Sequence, residues 1–303
     1  MEELVRNSVQ TWECDQMGHL NVQFYLTRAD EGLAILGHKV GLGPGTLREA
    51  GLVLTAQEQH IRFHREQRPG AAYFLRGGIV SHRAEALSVY QEMVSTISGE
   101  VAATMAVEAV VAEVHTRSVR VMPDGVSGKV GGIMVTVPDH GKPRGITMTP
   151  PVPTPQWTEA LASGMRPIWR GAVEHYMCAP DGVMTGQYLV GCISAGISNL
   201  LFQTSGRNRE GEENIGGAVL EYRLLHHNRP QAGDIVGVCS GLKAVGGKTL
   251  TWIHWIFDLE SETIATTAEA VAVTMDLRER RAVAMPDEMR TRMEDQIIPG
   301  IGV

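Results

Sequence analysis

Residues 186–203 read GQYLVGCISAGISNLLFQ, and nearly every position around this helical stretch is apolar or small. A surface helix would carry a polar stripe; this one is expected to be buried, with its Gly, Ala and Ser suited to the inside of a curved sheet. The flanks read as strand: 168–176 before it, then 218–226, 235–244, 249–259 and 264–275 after it. Residues 251–257, TWIHWIF, are bulky on both faces, as suits a strand covered on one side by the helix and on the other by a partner domain.

The first half repeats this order. Residues 4–12 can form a strand, and 22–36 a helix with Asn21 as its N-cap and Gly37 as its stop. Four further stretches with strand character follow, at 53–65, 72–81, 87–98 and 101–115. Arg68-Pro69 is echoed by Arg229-Pro230, Glu108-Ala109-Val110 by Glu269-Ala270-Val271, and Met122-Pro123-Asp124 by Met285-Pro286-Asp287, in one order. Collinear self-similarity of this kind decides the architecture before any motif does.

At 303 residues there is chain enough for two cores. We expect a first domain over 1–122, a linker over 123–166, a second domain over 167–287 and a tail over 288–303. Between the repeats stand Pro138, Pro143, Pro150, Pro151, Pro153 and Pro155, too many for regular helix or central strand. A linker of this length is expected to lie across a domain surface.

Hydrophobic residues at 43% and charged residues at 20% describe a soluble globular chain. It has no apolar run of membrane-spanning length and an acidic start, Met1-Glu2-Glu3, so a cytoplasmic protein without a membrane partner is expected. The net charge of -7 argues against a nucleic-acid partner, since phosphate backbones need a net basic face. Cys14, Cys178, Cys192 and Cys239 form no metal-ligand spacing and are read as free thiols packed as small hydrophobes; no metal and no cofactor are expected.

The chemistry concentrates at residues 13–26, ECDQMGHLNVQFYL. An Asp, two residues, Gly-His-apolar-Asn and an aromatic near the first helical turn resemble the signature of the 4-hydroxybenzoyl-CoA thioesterase branch. The strand, buried helix and four antiparallel strands, duplicated, resemble the double-hotdog acyl-CoA thioesterases. That resemblance implies an α+β chain of two tandem hotdog domains, each a long helix wrapped by an antiparallel sheet, forming an intrachain pseudo-dimer. It further implies hydrolysis of an acyl-CoA at a pocket between paired hotdogs, and an oligomer of double-hotdog chains remains open.

Thioester hydrolysis needs a carboxylate that attacks the carbonyl or activates water, plus donors aimed at the developing oxyanion. Asp15 is the candidate carboxylate, as nucleophile or general base. By the resemblance, the helix-terminal amide near Val22 is the oxyanion donor, consistent with the unpaired N–H groups and positive dipole end found there. Gly18 allows a tight turn close to the thioester, and Asn21 caps the helix. His19 either polarises the thioester or is a turn histidine satisfied by backbone. The plainer reading of the whole loop is an Asp-initiated turn before a helix cap.

Asp30 and Glu31 on the helix are weighed as carboxylates but read better as its solvated side, and Glu58 and Glu66 are weaker. A rim for CoA phosphates is offered by Arg62, Arg65 and Arg68 with His60 and His64, matched in the second half by Arg223, His226, His227 and Arg229; a solvated strand face competes with this reading. Trp252, Trp255 and Phe257 are candidates for an acyl-pocket wall, which core packing would explain equally well.

Aligning Cys178 with Cys14 puts Ala179 where Asp15 stands, Val183 where His19 stands and Thr185 where Asn21 stands. The second copy is therefore expected to lack its carboxylate. Asp181, between Pro180 and Gly182, suits a turn better than catalysis. Two other classes compete: a hotdog hydratase or dehydratase, whose Asp-x-Asn-Pro-x-His run is absent, and a non-catalytic acyl-CoA-binding module.

Overall fold

A computed structural model describes residues 1–152, 155–204 and 214–303; the linker proline Pro153 lies outside them. The chain divides into two compact units, Met1–Pro143 and Arg144–Val303.

In the first unit, β1 (Glu2–Ser8) leads through a 3-10 turn at Thr11–Glu13 to α1 (Val22–Lys39). A short α2 (Pro44–Glu49) precedes β2 (Leu52–Phe63), β3 (Ala72–His82), β4 (Ala86–Ser95) and β5 (Val101–Glu113). The strands pair antiparallel in the order β1-β3-β4-β5-β2. A two-residue β6 (Val119–Arg120) adds to β5, and α3 (Val126–Val130) follows.

The second unit opens with α4 (Trp157–Ala162) and continues with β7 (Arg166–Ala172), a 3-10 turn at His175–Met177 and α5 (Gly186–Thr204). Then come β8 (Ile215–His226), β9 (Ile235–Val245), β10 (Thr249–Asp258) and β11 (Thr263–Asp276), closed by β12 (Arg281–Ala282) and α6 (Asp287–Glu294). Its order, β7-β9-β10-β11-β8, is the same permutation. Each unit is thus a hotdog: one long helix against a five-stranded antiparallel sheet. Among the described residues no helix is long and apolar enough to cross a membrane.

Packing explains why α1 lies where it does. Tyr25, Leu26, Ala29, Gly32, Leu33 and Leu36 recur at helical spacing and are buried. Gly37 does not stop this helix, contrary to the sequence expectation. It sits inside, where a Cβ would fall 2.7 Å from Leu54 Cδ2, so the glycine serves close approach to β2, and the chain turns only at Gly41, with φ +94°.

The stretch expected as a linker contains structure that belongs to the units. Residues 133–143 cross the face of the first sheet: Val135 N–H donates to Ile79 O at 2.8 Å, Arg62 donates to the carbonyls of His140 and Lys142 at 2.7 Å each, and Gly141 lies flat on Tyr90. The chain end does the same in the second unit, where Ile298 N–H donates to Leu242 O and Trp255 Nε1 to Gly302 O. Trp255 and Phe257 pack there with Trp157 and Ile301 in an apolar cluster. Both side chains are thus committed to the core of their own unit, and the cover over this face of β10 is α4 with the chain end.

Candidate active site

The loop between the 3-10 turn and α1 is built from its own backbone. Cys14 bridges Leu20 as an antiparallel pair. Inside that bridge Asp15 N–H donates to His19 O and Gly18 N–H to Asp15 O, both at 3.0 Å. Closing so tight a turn requires φ +75° at Gly18, and no atom lies within 4 Å of where a Cβ would stand there, so conformation rather than space selects glycine. Leu20 N–H donates to Gln67 O and Asn21 N–H to Glu13 O, which fasten the loop's exit to the connection between β2 and β3 and to its own entrance.

Asn21 is the N-cap, its side-chain oxygen accepting from Gln23 N–H at 3.1 Å. Phe24 N–H is taken by Asn21 O. Among the described residues the Val22 N–H meets no acceptor. One amide at the positive end of an eighteen-residue helix is therefore left to face an incoming anion or carbonyl oxygen.

Asp15 Oδ1 accepts from Met17 N–H at 2.8 Å and lies 2.9 Å from His19 Nδ1. Both side chains are about 20% exposed. Burial pushes the carboxyl pKa up, but the hydrogen bond and charge of His19 and the amides of Met17 and His19 outweigh it, so the net shift is downward. The Met17 N–H and His19 Nδ1 bonds fall on Oδ1, and the carboxylate keeps about a fifth of its surface open to solvent.

The other sequence candidates separate. Arg62 spends Nη1 on two carbonyls of the segment crossing its sheet, Arg65 pairs with Glu100, and Arg68 is exposed. In the second half Arg223 is buried, and His226 and His227 lie beside Thr266 and Thr267 with pKa values lowered by burial; His226 is half-buried, whereas His227 is exposed. Asp30 is half-buried and accepts from the fully buried Gln59 at 3.2 Å, so it faces the sheet rather than solvent. Glu31 is partly exposed and takes Arg28 Nη1 at 3.1 Å.

Sequence reading missed Glu13 and Arg28, which form a buried ion pair behind the loop. The signal was present: Arg28 falls on the same helical stripe as Tyr25, Ala29 and Gly32, and a cation on a buried stripe requires a partner.

The second unit reproduces the loop without its carboxylate. Ala179 N–H donates to Val183 O, Gly182 N–H to Ala179 O, Thr185 N–H to Met177 O and Met184 N–H to Pro230 O, and Cys178 bridges Met184. Gly182 has φ +81° where Gly18 has +75°. Asp181 accepts from Val183 N–H at 3.2 Å, as an Asp in a turn does.

This geometry defines a hotdog fold carrying a carboxylate beside a helix terminus, and known proteins agree with the fold. Residues 9–130 match the model of the Thioesterase-like superfamily. No curated protein sequence matches the chain. Among solved structures it is similar to a protein described as an oleoyl thioesterase from Lactobacillus plantarum, at 12% identity and TM-score 0.66, covering 89% of this chain and 95% of that one. The 12:0-ACP thioesterase from Umbellularia californica matches at 11% and 0.66, covering 89% and 93%. An acyl-ACP thioesterase from Bacteroides thetaiotaomicron matches at 10% and 0.64, covering 88% and 96%.

Proposed function

We propose that this chain is an acyl-CoA thioesterase that hydrolyses an acyl thioester to a free acid and CoA, with Asp15 as its reacting carboxylate. One observation carries the reading: the Asp15 carboxylate is held by Met17 N–H and His19 Nδ1 at Oδ1, seven residues before a helix whose first amide meets no acceptor among the described residues. In the nucleophilic mode Oδ2 attacks the thioester carbon, the oxyanion collects on Val22 N–H, and the C–S bond breaks to release the thiolate, which is protonated from solvent. Water then cleaves the resulting anhydride. In the general-base mode Oδ2 takes a proton from water, whose oxygen attacks instead. Gly18 and Asn21 hold these groups in place, and His19 fixes the Asp15 rotamer.

The match of residues 9–130 to the Thioesterase-like superfamily supports this class of reaction. The acyl carrier is less constrained. Arg62 and Arg65 already have protein partners, leaving Arg68 as the exposed candidate for a CoA phosphate, and the similar solved structures include acyl-ACP thioesterases. Acyl-ACP is therefore the second reading of the substrate.

The test is a panel of acetyl-, octanoyl-, oleoyl- and benzoyl-CoA, and the same acyl groups on carrier protein, assayed for free thiol. Wild type is expected to turn over at least one, Asp15→Ala to lose about a hundredfold or more in kcat/KM, and Asp181→Ala to stay within about twofold. Full activity in Asp15→Ala removes the proposed mechanism. Loss in Asp181→Ala alone moves the site to the second unit. A change in enoyl-thioester absorbance without thiol release would instead identify a hydratase.

A further inference from the structure

Behind the Asp15 loop lies a polar cluster that the reaction scheme does not use. Glu13 and Arg28 are 5% and 6% exposed and joined through Glu13 Oε1 and Arg28 Nη2. Glu13 Oε2 accepts Gln10 N–H at 2.8 Å, and its backbone carbonyl accepts Asn21 N–H at 2.9 Å. Arg28 also reaches Glu31, and its guanidinium lies 5.9 Å from the centre of the Tyr73 ring. Among the described residues Arg28 Nε is buried without a hydrogen-bond partner.

Such a cluster is a costly way to hold a loop, because desolvating ions offsets their attraction, and this chain contains its own control. The second unit repeats the backbone hydrogen bonds of the loop. Met177 N–H donates to Glu174 O as Glu13 N–H does to Gln10 O, and Cys178 N–H to His175 O as Cys14 N–H does to Thr11 O. Strand entry repeats as well: Val173 N–H donates to Asp234 O as Val9 N–H does to Ala71 O.

That register puts Met177 where Glu13 stands, Cys192 where Arg28 stands, Ala195 where Glu31 stands and Val236 where Tyr73 stands. The entire cluster becomes apolar, yet the backbone loop is unchanged. The ion pair is therefore not what makes the loop. It accompanies Asp15 and is absent where Ala179 replaces Asp15.

We infer that Glu13 and Arg28 are positioning residues for the Asp15 centre, fixing the carboxylate's loop against the start of α1 so that Asp15 and the Val22 amide keep one relative placement. The inference rests on the reading of Asp15 as the reacting carboxylate. Glu13 has the connections for this role: its side chain holds the loop's entrance at Gln10 and the helix at Arg28, while its carbonyl holds the residue before Val22. Preorganisation of this kind acts on the transition state more than on substrate binding.

The experiment transplants the second unit's own solution. Glu13→Met with Arg28→Cys is compared with wild type, Arg28→Lys and Asp15→Ala, using the fastest acyl-CoA of the panel and thermal melts by circular dichroism. The double variant should melt within a few degrees of wild type or above it, and lose roughly tenfold to a hundredfold in kcat with KM nearly unchanged. Arg28→Lys keeps the charge without the planar fork and should lose part of the same kcat.

A folded double variant with wild-type kcat overturns the inference. So does one that cannot fold, since the apolar set would then be no substitute and the pair would be structural. Asp15→Ala separates the two levels: if it remains active, the assignment of the reacting carboxylate has failed, whereas an inactive Asp15→Ala beside a fully active double variant defeats the positioning role alone.

Discussion

Asp15 needs its negative charge for either mode of attack, so the groups that hold that charge set the acid limit of turnover. Its folded pKa lies below the ordinary carboxylate value; burial alone would have raised it, and His19 with two amides reverses the sign. The charged form and its contribution to stability are therefore intact above the ordinary value and are lost only as pH falls through the lowered one. His19→Gln removes the imidazole's charge and leaves burial acting. We expect kcat/KM of wild type to be flat from about pH 7 to 5, and that of the variant to decline toward pH 5; identical profiles would show that His19 does not govern Asp15. Asp15, Gly18, His19 and Asn21 were legible in the sequence because they lie in one short loop whose bonds are local. Glu13 and Arg28 were not, because their meeting depends on a helical stripe facing inward. Asp30 was misplaced for a related reason: a charged pair on a helix suggests solvent, and only the fold shows Gln59 beneath it.

Elements were legible where hydrophobic period and turn chemistry agree. The ten main strands and both long helices follow from the sequence, with ends displaced by a few residues. What the pattern hid were interruptions of period. β2 carries a bulge between Ala56 and Glu58, which shifts the alternation so that Gln59, Ile61 and Phe63 share one face, with Phe63 edge-on to Tyr25 at 4.9 Å. The expected strand over 4–12 ran into the 3-10 turn at Thr11–Glu13, because three residues carry no periodic signal. At the start of α1 the cap, Asn21, and the proposed oxyanion donor, the Val22 amide, are neighbours in the chain, and two substitutions separate their demands. Asn21→Ala removes the acceptor for Gln23 N–H and should cost about 1 kcal/mol of stability in denaturant melts. Asn21→Asp keeps the acceptor and adds a charge favourable to the helix dipole, so stability should hold. The same charge stands beside the Val22 amide and opposes a developing oxyanion, so kcat should fall in the Asp variant despite its stability. Unchanged kcat in a stable Asn21→Asp would argue against Val22 as the donor.

At the scale of the molecule the repeat was legible because short identical runs recur in one order, but its extent was not. Proline density at 138–155 reads as linker, and nothing in the sequence announces that residues 133–143 and the chain end are each laid on their own unit's sheet. The two units have also diverged in how they tolerate acid. In the second, His254 is 2% exposed, 2.7 Å from Ser240 Oγ and parallel to the Tyr222 ring, and burial lowers its pKa to about 3. Burial, aided by Arg229, also holds His226 well below its ordinary value. For a histidine kept neutral in the folded state, stability is complete above the unfolded pKa and is lost as pH falls toward the folded one. The window for His254 thus opens near 6.5, with a slope of about 1.4 kcal/mol per pH unit at most. In the first unit burial also lowers the pKa of the half-buried His64, but the fully buried Glu92 is a carboxylate and behaves differently. Burial raises its pKa, but His140, Arg76 and Tyr90 together lower it, so its contribution fails only below the ordinary value of 4.5. With the larger shifts of His254 and His226 in the second unit, acid should weaken that unit more than the first between about pH 6.5 and 4.5. Replacing the polar pair together, Ser240→Ala with His254→Phe, leaves no orphan hydroxyl and should flatten the fall of melting temperature across that window, with His226 retaining a share. A calorimetric slope equal to that of wild type would mean that His254 is not the group that titrates.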